Sequence, residues 1–74
     1  MFKRMRFRAW ARQQSDKSIK AMLADNDLFD KVYGEVDAAH EGHGGILTDL
    51  IDWIKSDPQG FLAFVKSLIA LFSV

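Results

Sequence analysis

The stretch KRMRFRAWAR, residues 3–12, decides how this chain is read. Basic side chains alternate with Met5, Phe7, Ala9 and Ala11, and Trp10 breaks the alternation on the basic side. A period of two is a strand signal. The residues themselves, Ala, Arg and Met, are good helix formers. A lone strand with no hairpin partner in the chain also leaves its backbone groups unpaired. Residues 1–14 are therefore read as a basic arm, helical or extended according to what it touches. With the strand set aside, every other segment has a helical pattern, and the chain is expected to be all-α.

Working outward, Ser15 can cap a helix starting at Asp16, whose charge suits the positive end of the helix. Ile19, Met22 and Leu23 form one apolar stripe at helical spacing, and Phe29, Val32, Tyr33 and Val36 form another. Asp25-Asn26-Asp27 lies between them and predicts a break, with Asp27 as a second N-cap. Gly34 weakens the second helix, which is expected to end near His40. HEGHGG, residues 40–45, reads as a stop and a loop.

Ile46 to Lys55 then reads as an amphipathic helix. Ile46, Leu47, Leu50, Ile51, Trp53 and Ile54 share one side, opposite Thr48, Asp49, Asp52 and Lys55. Asp57-Pro58 ends it and begins the next, with Asp57 as N-cap and Pro58 at the first helical position. The last helix runs from 58 to about 72, with Phe61, Phe64, Val65, Leu68, Ile69, Leu71 and Phe72 over a wide arc. The expected architecture is a small bundle or helical hairpin of three to four short helices with a basic N-terminal arm. It divides into an arm at 1–14, an acidic helical segment at 15–41, a glycine-rich loop at 42–45 and two amphipathic helices at 46–74.

The chain has 74 residues, enough for one domain. A domain of this size buries only about 60% of the surface its unfolded chain exposes. Without Cys it has neither disulfides nor thiolate metal ligands to staple it. Yet 49% of the residues are hydrophobic, and they concentrate toward the C-terminal end. That concentration suggests apolar surface buried against something else.

The net charge of zero conceals a strong polarity. Residues 1–20 carry seven bases and one acid, whereas residues 21–57 carry nine acids and two bases. Asymmetry of this kind marks interaction segments. The basic start lacks the following apolar stretch of a secretory signal peptide, so an intracellular or membrane-peripheral location is expected. Its Arg-rich, acid-free character also resembles an organellar transit segment in composition. FLAFV and LIALFSV, separated by Lys66, fall short of a membrane span of roughly 20 residues.

Few motifs carry chemistry. Asp37, His40, Glu41 and His43 are the only grouping with metal-ligand residue types. Their spacing is not the i, i+4 histidine pair of a metalloprotease helix, and a polar helix end with His favoured by the helix dipole explains them more simply. DNDLFD at 25–30 places Phe29 and Asp30 where a calcium loop needs a ligand and a glycine. Gly44-Gly45 suggests a double-glycine leader releasing a membrane-active peptide, but Lys31, Gly34, Ala39 and Gly42 stand where such leaders place large apolar groups. No nucleophile has an evident base, and no phosphate loop is present. No enzyme activity, metal, cofactor or small-molecule substrate is expected.

The functional expectation is thus a membrane-associated or assembly protein. Ile46, Leu50, Trp53, Ile54, Phe61, Phe64, Val65, Leu68, Ile69 and Phe72 would bury in a bilayer or in neighbouring subunits, its own copies included. Lys3, Arg4, Arg6, Arg8 and Arg12, with Phe7 and Trp10, would bind an anionic surface. Phosphate contacts to nucleic acid within a nucleoprotein particle are the alternative for the same strip, with the aromatic pair stacking on bases or resting at lipid headgroups. A lytic, membrane-permeabilising peptide is the weaker alternative. The plainest reading of the strip is neutralisation by the chain's own acidic middle.

Overall fold

The computed structural model describes residues 3–42 and 49–73, and all regular structure among them is α-helical. The helices are α1 (Lys3–Arg12), α2 (Lys17–Ala24), α3 (Asn26–Gly42), α4 (Leu50–Ser56) and α5 (Pro58–Phe72). Expected as three to four, the helices number five among the described residues, because the arm is itself one of them.

Helix α1 is where expectation and structure differ most. Its residues do not alternate between two strand faces; they wind so that Phe7 and Ala11, four apart, point inward together. Both are fully buried. The basic arm is therefore corrected to a core helix. The physical reason is that Phe7 alone, once turned inward, meets Phe29, Tyr33 and Phe61 at centroid distances of 5.4, 6.0 and 6.3 Å. A radius of gyration of 11.4 Å agrees with about 11 Å for a folded domain of this length, leaving no room for a projecting segment.

The helix boundaries follow from capping aspartates. Asp16, not Ser15, is the N-cap of α2, its carboxylate accepting from the backbone N–H of Ser18 at 2.8 Å and Ile19 at 3.3 Å. Asp25 separates α2 from α3 and accepts from Asp27 N–H at 3.1 Å and Leu28 N–H at 3.2 Å. The break falls there rather than at Asp27, because one extended residue suffices to release the chain and satisfy the next helix start. Helix α3 runs through Gly34 and past His40.

Helix α4 starts at Leu50, after Asp49 as N-cap, with Asp52 returning a bond to the Asp49 N–H to close a capping box. Asp49, expected on the polar face within a helix, is thus corrected to an N-cap. The expectations for His43, Gly44, Gly45, Ile46, Leu47 and Thr48 lie outside the described residues. Asp57 and Pro58 take the positions their order predicts: Asp57 accepts from Gly60 N–H at 3.0 Å, and Pro58 opens α5.

One core joins all five helices. Phe7 and Ala11 of α1 meet Ile19 and Met22 of α2, Phe29, Val32 and Val36 of α3, Leu50 and Ile54 of α4, and Phe61, Val65, Leu68 and Ile69 of α5. Aromatic rings fill its centre. Phe61 sits edge-on between Trp10 at 4.7 Å and Trp53 at 5.1 Å. Such edge contacts add about 0.5–1.5 kcal/mol each beyond area burial. No described helix is long and apolar enough to cross a membrane.

Candidate functional site

The basic strip becomes a helix with two unlike sides. Inward lie Phe7 and Ala11; outward lie Arg4, Met5, Arg6, Ala9, Arg12 and Gln13. Most of the strip's cations have partners within the chain. Lys3 Nζ reaches Asp37 Oδ1 at 2.6 Å, Arg4 pairs with Asp30, and Arg6 pairs with Asp49. The guanidinium carbons of Arg4 and Arg8 stand 4.8 and 4.2 Å from the Phe29 ring centroid, a cation–π arrangement. The acidic middle thus neutralises much of the strip, which was its plainest reading.

Three pKa directions report the packing of charged and phenolic groups. The hydrogen bond to Asp37, with the charge of that carboxylate, holds the Lys3 ammonium above its ordinary value of 10.5. Between α5 and the start of α2, Lys66 Nζ lies 3.0 Å from Asp16 Oδ2. That bond, with the N–H groups of Ser18 and Ile19, holds the Asp16 carboxyl below its ordinary 3.8. Burial raises the Tyr33 hydroxyl above 10.0.

Of the residues expected on an anionic surface, Arg12 is exposed and makes no ion pair among the described residues. Lys17 and Lys20 on α2 are alike in both respects. Phe7 is enclosed, and Trp10 is half-buried, stacked on Phe7 at 5.7 Å. Neither ring is a free platform.

The residues expected to bury in a bilayer or partner are mostly covered by the chain itself. Leu50, Ile54, Phe61, Val65, Leu68 and Ile69 are core, while Trp53, Phe64 and Phe72 pack partly exposed against it. Ile46 lies outside the described residues. Composition alone does not separate the two, because an arc of half a helix serves a small bundle as well as a bilayer.

Two surface features do combine apolar groups with charge. Arg6, Ala9 and Trp10 of α1, with Gln13 just after it, face Ile51, Ile54 and Lys55 of α4 across a groove. At the end of α5, Phe72 and Ser73 share a hollow with Asp25, Asp27, Leu28 and Lys31. Met5 and Leu71, at 67% and 66% exposure, are the large apolar side chains left exposed among the described residues. Met5 belongs to the basic helix, and Leu71 to the last turn of α5.

His40, the one candidate ligand that is buried, stacks on Trp53 at 5.8 Å and 7°. Neither of its ring nitrogens has a hydrogen-bond partner among the described residues. Among the described residues no group of three or more His, Asp or Glu side chains is placed to hold a metal. The geometry therefore offers charged and apolar contact surface rather than a set of converging polar groups. No protein-family model, curated protein or solved structure matches the chain.

Proposed function

We propose that this chain is a non-enzymatic assembly module, binding protein subunits and first of all its own copies. The observation that supports the reading is the two-sided character of α1. One side is built into the core through Phe7 and Ala11, and the other carries Met5 and Ala9 among cations. Those cations already engage acidic helical surface, at Asp30, Asp37 and Asp49 of the same chain. An apolar centre with a charged surround is how protein interfaces are built. The bilayer version of the reading requires Leu50, Ile54, Phe61, Val65, Leu68 and Ile69 to leave the chain's own core, so it costs the fold that the same residues create.

A second reading has one specific support. Arg12, Lys17 and Lys20 are exposed cations with no acid held against them among the described residues. They suit phosphate, whether of nucleic acid or of lipid headgroups.

Sedimentation velocity over a wide concentration range separates the two, repeated with duplex DNA and with anionic vesicles. The assembly reading expects mass to rise with protein concentration alone. A chain that stays monomeric throughout, yet binds DNA or vesicles with a steep salt dependence, overturns it.

A further inference from the structure

We propose that this chain binds a small, free quaternary ammonium compound in an aromatic hollow between α3, α4 and α5. The proposal goes beyond the assembly reading and does not depend on it.

The hollow has a volume of about 280 Å³ and is lined by Ala39, Trp53, Asp57, Gly60, Phe61 and Phe64. Three of these six side chains are aromatic, and Asp57 is the one ionised group among them. The rings do not form a flat stack. Trp53 meets Phe61 at 80° and Phe64 at 47°, with centroids 5.1 and 6.2 Å apart. Phe61 belongs to the core, whereas Trp53 and Phe64 are half-buried. Aromatic rings attract a cation to the negative charge of their π faces. A bare ammonium is strongly hydrated and suits such a lining poorly. A fully methylated one is apolar outside and charged within, which matches rings and carboxylate together.

Asp57 supplies the countercharge. Its carboxylate accepts from Gly60 N–H at 3.0 Å and makes no ion pair among the described residues. A Cβ at position 60 would run into that carboxylate, so Gly60 is what lets it lie across the first turn of α5, where both residues line the hollow. The same carboxylate offsets the positive end of the helix. An acid without a basic neighbour in the lining selects a cation and repels an anion. It also disfavours a phospholipid head, whose phosphate would stand beside exposed Asp57. Pockets for drug-sized ligands run from about 300 to 1,000 Å³, so this one takes a compound of few heavy atoms, such as choline.

The test is a titration of isotope-labelled full-length protein with choline, followed by heteronuclear NMR at the Trp53 indole N–H signal. Trp10 does not line the hollow and serves as the internal reference. The Trp53 signal is expected to move and to saturate. The neutral isostere of choline, with carbon in place of nitrogen, keeps the shape without the charge and is expected to bind about tenfold more weakly. Asp57→Asn keeps an equally good N-cap and is expected to weaken choline binding about tenfold. Phe64→Leu keeps apolar bulk without the ring and is expected to weaken it about three- to tenfold. Circular dichroism checks that both variants fold; should Phe64→Leu lose the helical signal, Phe64→Met takes its place.

Equal binding of choline and its isostere overturns the proposal and leaves a merely apolar hollow. Wild-type affinity in either variant overturns it as well, as does a Trp53 signal that never saturates. Phosphatidylcholine vesicles that move the signal where free choline does not assign the hollow to a lipid head and overturn the free ligand. None of these outcomes touches the oligomeric state, which tests the assembly reading separately.

Discussion

Helices α1 and α5 have opposite compositions and share one core. The first carries Lys3, Arg4, Arg6, Arg8 and Arg12 in ten residues; the second carries Lys66 as its single charge in fifteen. Composition sends α1 to solvent and α5 to an apolar medium. The bundle divides each of them. Phe7 and Ala11 of α1 are sealed, while Leu71 of α5 stands 66% exposed and Leu62, Phe64 and Phe72 are only partly covered. What differs is the source of stability. Helix α1 is held by two inward side chains, an aromatic cluster and ion pairs to neighbouring segments; α5 is held by a broad packed arc. The lesson is that burial belongs to positions on a helix, not to the helix as a whole.

The most severe way to break this comparison is to truncate the inward residue of the polar helix. Phe7→Ala is expected to cost about 3–5 kcal/mol, a large share of the roughly 4–11 kcal/mol available to a domain this small. Thermal circular dichroism would show the melting midpoint lowered by roughly 12–40 °C. Were residues 1–14 a free arm, the same change would leave the melting curve where it was. Within α5, Ile69→Ala should cost about 2–5 kcal/mol, against less than about 0.5 kcal/mol for Leu71→Ser. Urea denaturation of dilute protein measures both, and equal effects would contradict the sidedness of α5.

His40 sharpens the comparison from the opposite direction, as a polar side chain enclosed at the end of α3. With both ring nitrogens unpartnered among the described residues, it carries a desolvation cost that no bond there offsets. His40→Leu is expected to raise unfolding free energy by about 1–2 kcal/mol in urea titrations, and a marked loss would show that the imidazole is bonded after all. Gly34 is a milder case. A Cβ there meets nothing within 4 Å. Gly34→Ala should therefore add about 0.5–1 kcal/mol by restricting the unfolded chain, read as a higher urea midpoint with unchanged slope.

The smallest effects concern pH. Asp16 ionises below its ordinary value because Lys66 and two backbone N–H groups stabilise the carboxylate. Its contribution is complete above 3.8 and is lost as pH falls through the lowered folded value. Lys3 and Tyr33 have raised folded values, so theirs is complete below about 10 and is lost as pH rises through those values. Stability should be flat around neutrality and decline at both extremes. Lys66→Ala should weaken only the acid shoulder, and Asp37→Asn the alkaline one; melting curves across pH would reveal an exchange of those roles.

Much of the fold was legible before any tertiary contact was known. Asp57-Pro58 announced the start of α5, because a carboxylate acceptor followed by a residue without an N–H is what a helix start requires. The stripes Ile19/Met22 and Phe29/Val32/Val36 announced the inner sides of α2 and α3 through their spacing. The start of α4 was less legible. An aspartate such as Asp49 serves equally as a polar-face residue or as an N-cap, and only the backbone conformation selects between them. The strip at 3–12 was ambiguous for the same kind of reason. Phe7 and Ala11 satisfy both an alternating and a four-residue repeat, and charge dominates the rest.

By itself, then, the sequence determined an all-helical chain, the capping aspartate of α5 and the division into basic and acidic parts, since these depend on neighbours within a turn or two. Tertiary structure alone decided that the basic segment is a core helix and that most of the apolar C-terminal arc faces inward. Both depend on contacts such as Phe7 with Phe61 and Lys66 with Asp16, which join residues some fifty positions apart. No local periodicity encodes a contact at that separation; it forms only when the helices pack and their side chains are desolvated together.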